Sequence, residues 1–481
     1  MTQAAQNTVA FRSESDSIGV KQIPQDAYYG VQSLRAMENF SITGGMLHKE
    51  MINSLARLKK ACAIANANAG VLDRRITDAI VQACDLLMEG KYHDQFIVDP
   101  IQGGAGTSMN MNANEVIANI AIELLGGQKG DYTIVHPNDH VNYGQSTNDV
   151  IPTAGKMTAL VLLQDLKKAL AYLQEKFEEK AVAFDSILKM GRTQLQDAVP
   201  IRLGQEFAAY ATAVKRSLRR LEQAEAELLT VNMGGTAIGT GLNADFDYFR
   251  HIAQTLSDLT GFSFRQANDL IDATQNIDCF AAVSGALKTC GLALSKIAND
   301  LRLMSSGPRT GFGEINLPAK QNGSSIMPGK INPVIPEVVS QVAYKVAGND
   351  VTIAMAVEAG QMELNAFEPV IFESLFQSIT ILRNGALTFA DNCVSGITAN
   401  EERCRELMDA SVGTITALCP HIGYARAAKI AKEALAKQIP VKELILRENI
   451  LTEEELSEIM NAYGMTQPGI SGKELLIHED K

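Results

Sequence analysis

The residues best suited to chemistry lie in one segment, 323–333, with the sequence Gly-Ser-Ser-Ile-Met-Pro-Gly-Lys-Ile-Asn-Pro. Two prolines and two glycines within eleven residues exclude a regular helix or strand, so we predict a mobile loop. Ser324 and Ser325 supply hydroxyls, Lys330 an ammonium and Asn332 an amide, and the glycines let backbone N–H groups approach a ligand. These groups favour carboxylate binding, although an ordinary polar surface loop is the alternative at this point.

A second candidate is the glycine cluster at 103–106, which runs directly into Thr107 and a predicted helix. Backbone N–H groups at the start of a helix, together with a hydroxyl, can hold an anion. The segment lacks the lysine of a phosphate-binding P-loop. It therefore predicts a phosphate or carboxylate contact without deciding between them.

A polar island at 136–149 contains Ser146, Thr147 and Asn148 in succession. His136 and His140 flank Pro137, so they do not share one face of an uninterrupted helix, and a third metal ligand is not evident. We therefore predict no metal site here. The alternatives are a substrate-binding segment and a solvated turn that caps the next helix.

A further polar turn is predicted at 191–200 and includes Thr193 and Gln194. Its simplest interpretation is a surface loop in which Arg192 and Asp197 form an exposed ion pair of little energetic value.

Long amphipathic helices must position these segments. Five apolar residues at intervals of 3, 4, 3 and 4 predict the first helix: Leu163, Leu166, Leu170, Leu173 and Phe177. The rhythm returns in a second helix at Phe207, Ala211, Val214, Leu218 and Leu221, and in a third at Leu287, Leu294 and Leu301. Two more helices are predicted at 334–358 and 367–394.

These five helices predict an all-α protein, because no alternating strand pattern of comparable length is present. A helix of about 30 residues is roughly 45 Å long, too long to bury its apolar stripe within a small domain. We therefore expect a bundle that continues into neighbouring subunits. The predicted domains are an N-terminal helical domain (1–148), a central long-helix domain with the loop 323–333 (149–399) and a small C-terminal helical domain (400–481).

Composition limits the function classes. The 481 residues are 46% hydrophobic and 20% charged, as in ordinary globular proteins. Lys and Arg number 43 against 55 Asp and Glu, a net charge of −12, and without a long basic run we expect no nucleic-acid or membrane partner. The polar start lacks the apolar core of a secretory signal, which predicts a cytoplasmic location.

Residues 323–333 resemble the GSSxMPxKxNP signature of the aspartase/fumarase superfamily at every specified position. The following residues, 334–341, look like the aspartase branch, and the segments 103–115, 145–148 and 191–193 extend the resemblance over essentially the whole chain. It implies a homotetramer with a central 20-helix core and active sites that are each assembled from three subunits.

The resemblance also implies a reaction, the reversible removal of ammonia from L-aspartate to give fumarate. Ser324 would be the base that abstracts the Cβ proton, through an enediolate (aci-carboxylate) intermediate. Thr107, Ser146, Thr147 and Ser325 would hold the β-carboxylate. Lys330, Asn332 and Thr193 would bind the α-carboxylate, and Asn148 the amino group. No metal or organic cofactor is implied.

The sequence departs from the fumarase pattern at Gln194, where fumarases and some aspartases carry a histidine paired with the equivalent of Glu337. Loss of hydroxide requires a proton from an acid, whereas an ammonium group already carries its protons, so a glutamine that only hydrogen-bonds favours the lyase. Gln194 is therefore a binding candidate. A class II fumarate hydratase, a lyase for another amino-substituted succinate and a non-catalytic crystallin-like protein remain the alternatives.

Overall fold

The computed structural model describes residues 10–476, and helices make up 62% of it. The all-α prediction is confirmed. The helices are α1 (Val31–Asn39), α2 (Lys49–Asn68), α3 (Arg74–Met88), α4 (Thr107–Leu124), α5 (Thr147–Ala183), α6 (Leu203–Glu225), α7 (Phe246–Thr260), α8 (Leu270–Gln275), α9 (Asp278–Met304), α10 (Val334–Glu358), α11 (Glu368–Asn392), α12 (Glu401–Ala410), α13 (Ile415–Ile422), α14 (Tyr424–Lys437), α15 (Val441–Arg447), α16 (Glu453–Ile459) and α17 (Ala462–Met465).

The strands are short and pair two by two. They are β1 (Phe11–Asp16), β2 (Gly19–Pro24), β3 (Leu188–Thr193), β4 (Gln196–Arg202), β5 (Thr230–Val231), β6 (Arg265–Gln266), β7 (Ile315–Asn316) and β8 (Thr398–Ala399). The pairs β1–β2, β3–β4 and β7–β8 are antiparallel, and β5–β6 is parallel. Because these strands form only two-stranded pairs, the fold is based on helix packing.

All five predicted long helices are present, with 37 residues in α5, 23 in α6, 27 in α9 and 25 in each of α10 and α11. The helix predicted at 334–358 is α10 with both ends correct, and α11 is slightly shorter than its prediction. The predicted stripe of α5 is fully buried. The heptad spacing of the leucines in α9 likewise marks its buried face.

The described residues up to Lys168, with Leu218–Gly291 and Val342–Arg383, form one compact unit. In this first unit, a Cβ at Gly155 of α5 would lie 2.2 Å from the ring of Phe372, so the missing side chain lets α5 and α11 approach closely. Phe280 of α9 packs edge-on against the same ring. Glycine and aromatic rings thus fit together in its core.

Ala169–Ser217, Leu292–Gln341 and the described residues from Asn384 form a second compact unit. Its core is aromatic, because Phe177 contacts Phe207, Tyr210 and Phe389 with ring centroids 5.8–6.3 Å apart. The helices from α13 to α16 add a separate apolar cluster around Leu418, Ile445 and Leu456. The three predicted domains, whose outer ends at 1–9 and 477–481 lie outside the described residues, stay a prediction.

The predicted polar turn at 191–200 is wrong in its secondary structure, because the segment belongs to the β3–β4 hairpin. The register shifts between Met190 and Arg192, which marks a β-bulge at Gly191. A Cβ at Gly191 would lie 2.7 Å from the Val199 carbonyl oxygen, so only glycine permits this approach. A bulge and a proline interrupt the strand pattern, which explains why alternation was not visible in the sequence.

Within residues 10–476, one helix, α9, is long and apolar enough to cross a membrane by length and composition alone. In the structure, 56% of its most apolar window is buried by the rest of the protein. Its apolar character is accounted for by packing in the helical core.

Candidate active site

The loop 323–333 is closed at its base by backbone and side-chain hydrogen bonds. Asn322 and Ile331 form an antiparallel bridge, and the Gly323 N–H donates to the Lys330 carbonyl oxygen at 2.7 Å. The Asn332 amide donates to the Gly323 carbonyl oxygen, also at 2.7 Å. These contacts hold the two ends of the loop together while its centre stays exposed.

Ser324 lies in a local turn that directs backbone donors at its hydroxyl oxygen. The N–H groups of Ile326 and Met327 lie 3.2 and 3.0 Å from Ser324 Oγ. Two N–H donors stabilise an oxygen that carries negative charge more than a neutral hydroxyl. The turn therefore lowers the free energy of the alkoxide that a serine base requires.

Lys330 and Asn332 line one cavity of about 670 Å³ together with Arg302 and Glu337. The guanidinium of Arg302 lies 3.9 Å from the Glu337 carboxylate. One hydrogen of the Asn332 amide is used within the loop, and the second is available to a ligand. Ser325 is exposed on the loop beside Ser324.

Thr193 and Gln194 occupy the exposed tip of the β3–β4 hairpin, where Thr193 pairs with Gln196. Gln194 and Leu195 have φ of 54° and 62°, so both central turn residues are in the left-handed region. This is the pattern of a type I′ turn, which asparagine and glycine adopt with less strain. The tip thus holds Gln194 in a strained turn, next to Thr193 at the end of β3.

A buried charge cluster, Lys189, Arg192, Glu206 and Glu314, anchors this hairpin. Arg192 donates to Glu314 at 2.7 Å and lies 4.1 Å from the Phe312 ring, while Glu314 is fully buried. Lys189 lies 3.1 Å from Glu314 and donates to Glu206 at 2.9 Å. Burial raises the pKa of Glu206, opposed by Lys189. The simple exposed pair of Arg192 with Asp197 is not formed, since Arg192 turns inward to Glu314.

Replacing Arg192 by methionine is expected to lower the free energy of unfolding by about 3 kcal/mol, because it leaves part of a buried charge without its partner. The double variant Arg192→Met, Glu314→Gln should recover part of that loss. Arg202→Met is the matched control, since the partner of Arg202, Asp185, has a half-exposed side chain. Urea unfolding at one protein concentration measures all three. Equal destabilisation by Arg192→Met and Arg202→Met would contradict the anchoring role.

In the first unit, Thr107 begins α4 directly after three residues with positive φ: Gly104 (88°), Ala105 (56°) and Gly106 (80°). The Thr107 hydroxyl donates to the Gly104 carbonyl oxygen at 2.7 Å, and Thr107 is exposed. Of the first N–H groups of α4, that of Thr107 donates to the Gly104 carbonyl oxygen at 3.0 Å and that of Met109 donates to Gln102 Oε1 at 3.1 Å. The anion contact at this helix start therefore stays a prediction.

Gly106→Ala is expected to destabilise the protein by about 1–3 kcal/mol more than Gly126→Ala. Both glycines have φ near +80°, so both substitutions introduce similar backbone strain. A Cβ at Gly106 would lie 2.8 Å from Ile151, whereas a Cβ at Gly126 meets nothing within 4 Å. Denaturant midpoints would give the difference, and indistinguishable midpoints would show that Ile151 yields without penalty.

Ser146 caps α5, on which Thr147 and Asn148 are the first residues. Its Oγ accepts from the Asn148 N–H at 3.2 Å, and its own N–H donates to Asp149 Oδ1 at 3.0 Å. The Asn148 amide donates to the Ala237 carbonyl oxygen at 2.7 Å, which leaves its oxygen to accept from a ligand. The three predicted binding residues are therefore half-buried at the N-terminus of α5. Ser146 caps the helix there, and all three residues stay candidates for substrate binding.

Four residues that the sequence analysis did not select support this segment: Lys59, Asn110, Asn142 and Asp149. Asp149 is fully buried and its Oδ2 accepts from the N–H groups of Gly234 and Thr236. Burial raises its pKa to about 6, against these hydrogen bonds and the attraction of Lys59. The sequence feature that could have identified Lys59 is its position on an apolar helix face, four residues after Leu55 and three before Cys62.

Ser146 and Thr147 line a cavity of about 860 Å³ in the first unit, together with Asn142 and Thr236. Thr107 is not among its lining residues, although Asn110, one turn further along α4, lies 3.4 Å from the Thr147 hydroxyl. The predicted site residues are divided into two groups by unit: Thr107, Ser146, Thr147 and Asn148 belong to the first, and Thr193, Gln194, Ser324, Ser325, Lys330 and Asn332 belong to the second. Within the second unit, Lys330 and Asn332 share a cavity that Thr193 and Gln194 do not line.

The two histidines of the polar island act within the backbone structure. His136 accepts from the N–H groups of Asn138 and Asp139, and His140 accepts from the His136 N–H. Across residues 10–476, no group of three or more His, Cys, Asp or Glu side chains is arranged to hold a metal ion.

Two family models and a curated relative match this chain. Residues 19–348 match the family model described as Lyase, and residues 415–467 match the Fumarase C C-terminus. The aspartate ammonia-lyase of Bacillus subtilis (strain 168) is 56% identical, covering 97% of this chain and 98% of its own length.

Two solved structures share the fold at high similarity. The fumarate lyase:delta crystallin from Brucella melitensis, bound to cobalt, has a TM-score of 0.93 and 49% identity, covering 95% of this chain and all of its own. The recombinant class II fumarase from Schistosoma mansoni has a TM-score of 0.92 and 34% identity, with the same coverage.

Proposed function

This chain belongs to the aspartase/fumarase superfamily and, within it, to the aspartate ammonia-lyases, which are carbon–nitrogen lyases, and we propose that it converts L-aspartate reversibly into fumarate and ammonia with Ser324 as the base. The hydrogen-bonded turn at Ser324 is the observation that carries the assignment of the base. The other residue roles follow from the chemistry of the reaction and the donors available in each segment.

The Cβ proton of aspartate is weakly acidic, so its removal requires a base and stabilisation of the charge that moves onto the β-carboxylate. A serine hydroxyl is a poor base unless its alkoxide is stabilised. The N–H groups of Ile326 and Met327 already point at Ser324 Oγ, which supports the alkoxide form. Closure of the loop over substrate would exclude water and strengthen both hydrogen bonds.

The β-carboxylate becomes an enediolate (aci-carboxylate) when the proton is removed, and neutral hydroxyl donors suit both forms. Ser146 and Thr147 supply such donors at the N-terminus of α5, whose helix dipole also favours negative charge. Ser325 and Thr107 at the start of α4 complete this group in our proposal, in which the Thr107 hydroxyl turns from the Gly104 carbonyl oxygen to the substrate.

The α-carboxylate is assigned to Lys330, Asn332 and Thr193, and the amino group to Asn148. Lys330 and Asn332 line one cavity, and each has a donor available to an anion. An ammonium group only donates, and the Asn148 amide oxygen is the atom free to accept from it, because the nitrogen is bound to Ala237. Gln194 hydrogen-bonds at the hairpin tip without acting as an acid.

The residues of the two groups would meet in a homotetramer whose active sites each draw on three subunits. Apolar side chains exposed along one face of α10 support this proposal. Tyr344, Val351 and Met355 are 60–68% exposed at intervals of seven and four residues, a helical stripe that the single chain leaves uncovered. Analytical ultracentrifugation of the purified protein would test for a tetramer.

The experiment that tests the function follows fumarate by its ultraviolet absorbance with L-aspartate and, separately, with L-malate as substrate. Fumarate from aspartate alone is the expected result. Fumarate from malate alone would support a hydratase and would mean that Gln194 is compatible with loss of water. No fumarate from either substrate would point to another amino-substituted succinate or to a crystallin-like role.

A further inference from the structure

Lys59 is a fully buried lysine in the middle of α2. Its ammonium donates to Asn142 Oδ1 at 2.8 Å and to Gln145 Oε1 at 2.9 Å. Taking an ammonium group out of water costs several kcal/mol unless its hydrogen bonds are well satisfied. A methionine would fill similar space without that penalty, so the charge itself requires an explanation.

The two acceptors of Lys59 belong to the segment that leads into α5. Asn142 Oδ1 also accepts from the amides of Asn110 and Asn114, at 3.1 and 3.2 Å. The Asn142 amide in turn donates to the Gln145 carbonyl oxygen at 3.1 Å. Lys59 therefore holds both ends of the turn that immediately precedes Ser146.

The same network reaches a predicted substrate-binding hydroxyl. Asn110 Nδ2 lies 3.1 Å from Asn142 Oδ1 and 3.4 Å from Thr147 Oγ1. Thr147, Asn142 and Gln145 all line the 860 Å³ cavity. Lys59 is buried behind this wall, and Asn142 and Gln145 stand between its ammonium and the cavity.

The charge of Lys59 is not cancelled by a direct ion pair, because no carboxylate of the described residues pairs with it. Asp149 is the carboxylate that raises the pKa of Lys59 electrostatically, but its oxygens accept from backbone N–H groups instead of pairing with the ammonium. Burial lowers the pKa of Lys59 to about 8, opposed by Cys62 and Asp149. The group is thus mostly protonated at neutral pH, and a positive charge lies behind the cavity wall.

We propose that Lys59 is a positioning residue for the β-carboxylate subsite. Lys59 holds Ser146 and Thr147 in place through Asn142 and Gln145, and its ammonium places a positive charge behind them. The inference rests on the proposed function. Negative charge accumulates on the β-carboxylate as the enediolate forms, so a fixed positive charge in a site of low dielectric stabilises the transition state more than the bound substrate.

The test uses the full-length enzyme and three variants: Lys59→Met, Lys59→Arg and, as the matched control, Lys60→Met. Lys60 is the next residue on α2, and its ammonium pairs with Asp85 at 2.6 Å nearer the surface. The measurements are kcat and KM for aspartate and the inhibition constant of succinate, a dicarboxylate that cannot react and so reports ground-state binding.

Lys59→Met should lower kcat by about 10²-fold, comparable to loss of one donor from an oxyanion hole, while succinate inhibition changes by less than about threefold. Lys59→Arg should recover at least about tenfold of that loss because it keeps the charge. Lys60→Met should behave as the wild type. Wild-type kcat in Lys59→Met, or parallel losses of kcat and succinate affinity, would overturn the proposal, the second result showing a packing role alone.

If Lys59→Met does not fold, Asn142→Asp provides the test, because it keeps an acceptor for Lys59 and places a carboxylate against the ammonium. The same kcat loss with retained succinate binding is expected, and wild-type kcat would overturn the inference. Failure of the proposed function is distinguishable, since the wild type itself would then form no fumarate from aspartate.

Discussion

Ser324→Ala is expected to lower kcat for fumarate formation from aspartate by about 10²–10⁴-fold, the usual contribution of a general base. The methyl group cannot accept the Cβ proton, and the N–H groups of Ile326 and Met327 lose the oxygen at which they point. The fold should be unaffected, because the loop is held at its base by the contacts of Gly323, Lys330 and Asn332. Initial rates of absorbance change at saturating aspartate measure the effect.

The control for this variant is the adjacent Ser325→Ala. Ser325 would lose one neutral hydrogen bond to the β-carboxylate, worth about 1 kcal/mol, so a decrease of about fivefold is expected. A larger loss in Ser325→Ala than in Ser324→Ala would mean that the roles of the two serines are exchanged. Retention of most of the activity by Ser324→Ala would exclude it as the base.

Lys330→Met is expected to lower kcat/KM for aspartate by about 10–150-fold, which corresponds to one charge-assisted hydrogen bond of 1.5–3 kcal/mol. Its ammonium is exposed beside Asn332 in the cavity, where it would be the cation that receives the α-carboxylate. Lys330→Arg keeps the charge but offers a planar guanidinium, so an intermediate value is expected.

Lys320→Met is the matched control, because Lys320 is another exposed lysine ten residues earlier, outside the loop. It should leave kcat/KM unchanged. Progress curves at aspartate concentrations well below KM give kcat/KM directly for each variant. An unchanged value in Lys330→Met would remove Lys330 from the α-carboxylate group and leave Asn332 and Thr193 as its candidates.

The long helices could be predicted from the sequence because each buries a regular stripe, and regular stripes repeat in the sequence. Leu163 through Phe177 mark such a stripe, and α10 follows directly from Pro333, which cannot continue a preceding element. The β3–β4 hairpin could not be predicted in the same way. Its bulge at Gly191 breaks the alternation, and its turn is built from Gln194 and Leu195 where asparagine and glycine are the usual signal.

The candidate site was predictable to the extent that its groups lie in polar islands. Ser324, Lys330 and Thr147 stand out because several donors occur close together in the sequence. The supporting residues do not, since Lys59 and Glu314 make their contacts 83 and 122 positions away along the chain. A buried charge is visible in a sequence only as an odd residue on an apolar face, and its partner is fixed by the tertiary structure.

The strained turn at Gln194 and Leu195 has a consequence for protein engineering. Asn-Gly at these two positions would adopt the same turn with less strain, so a screen for thermal stability alone should select it, with a gain of about 1 kcal/mol. Such variants would give up the Gln194 side chain, which the proposed function uses for binding. Under the proposed function, selection for heat tolerance would therefore act against the binding role of Gln194.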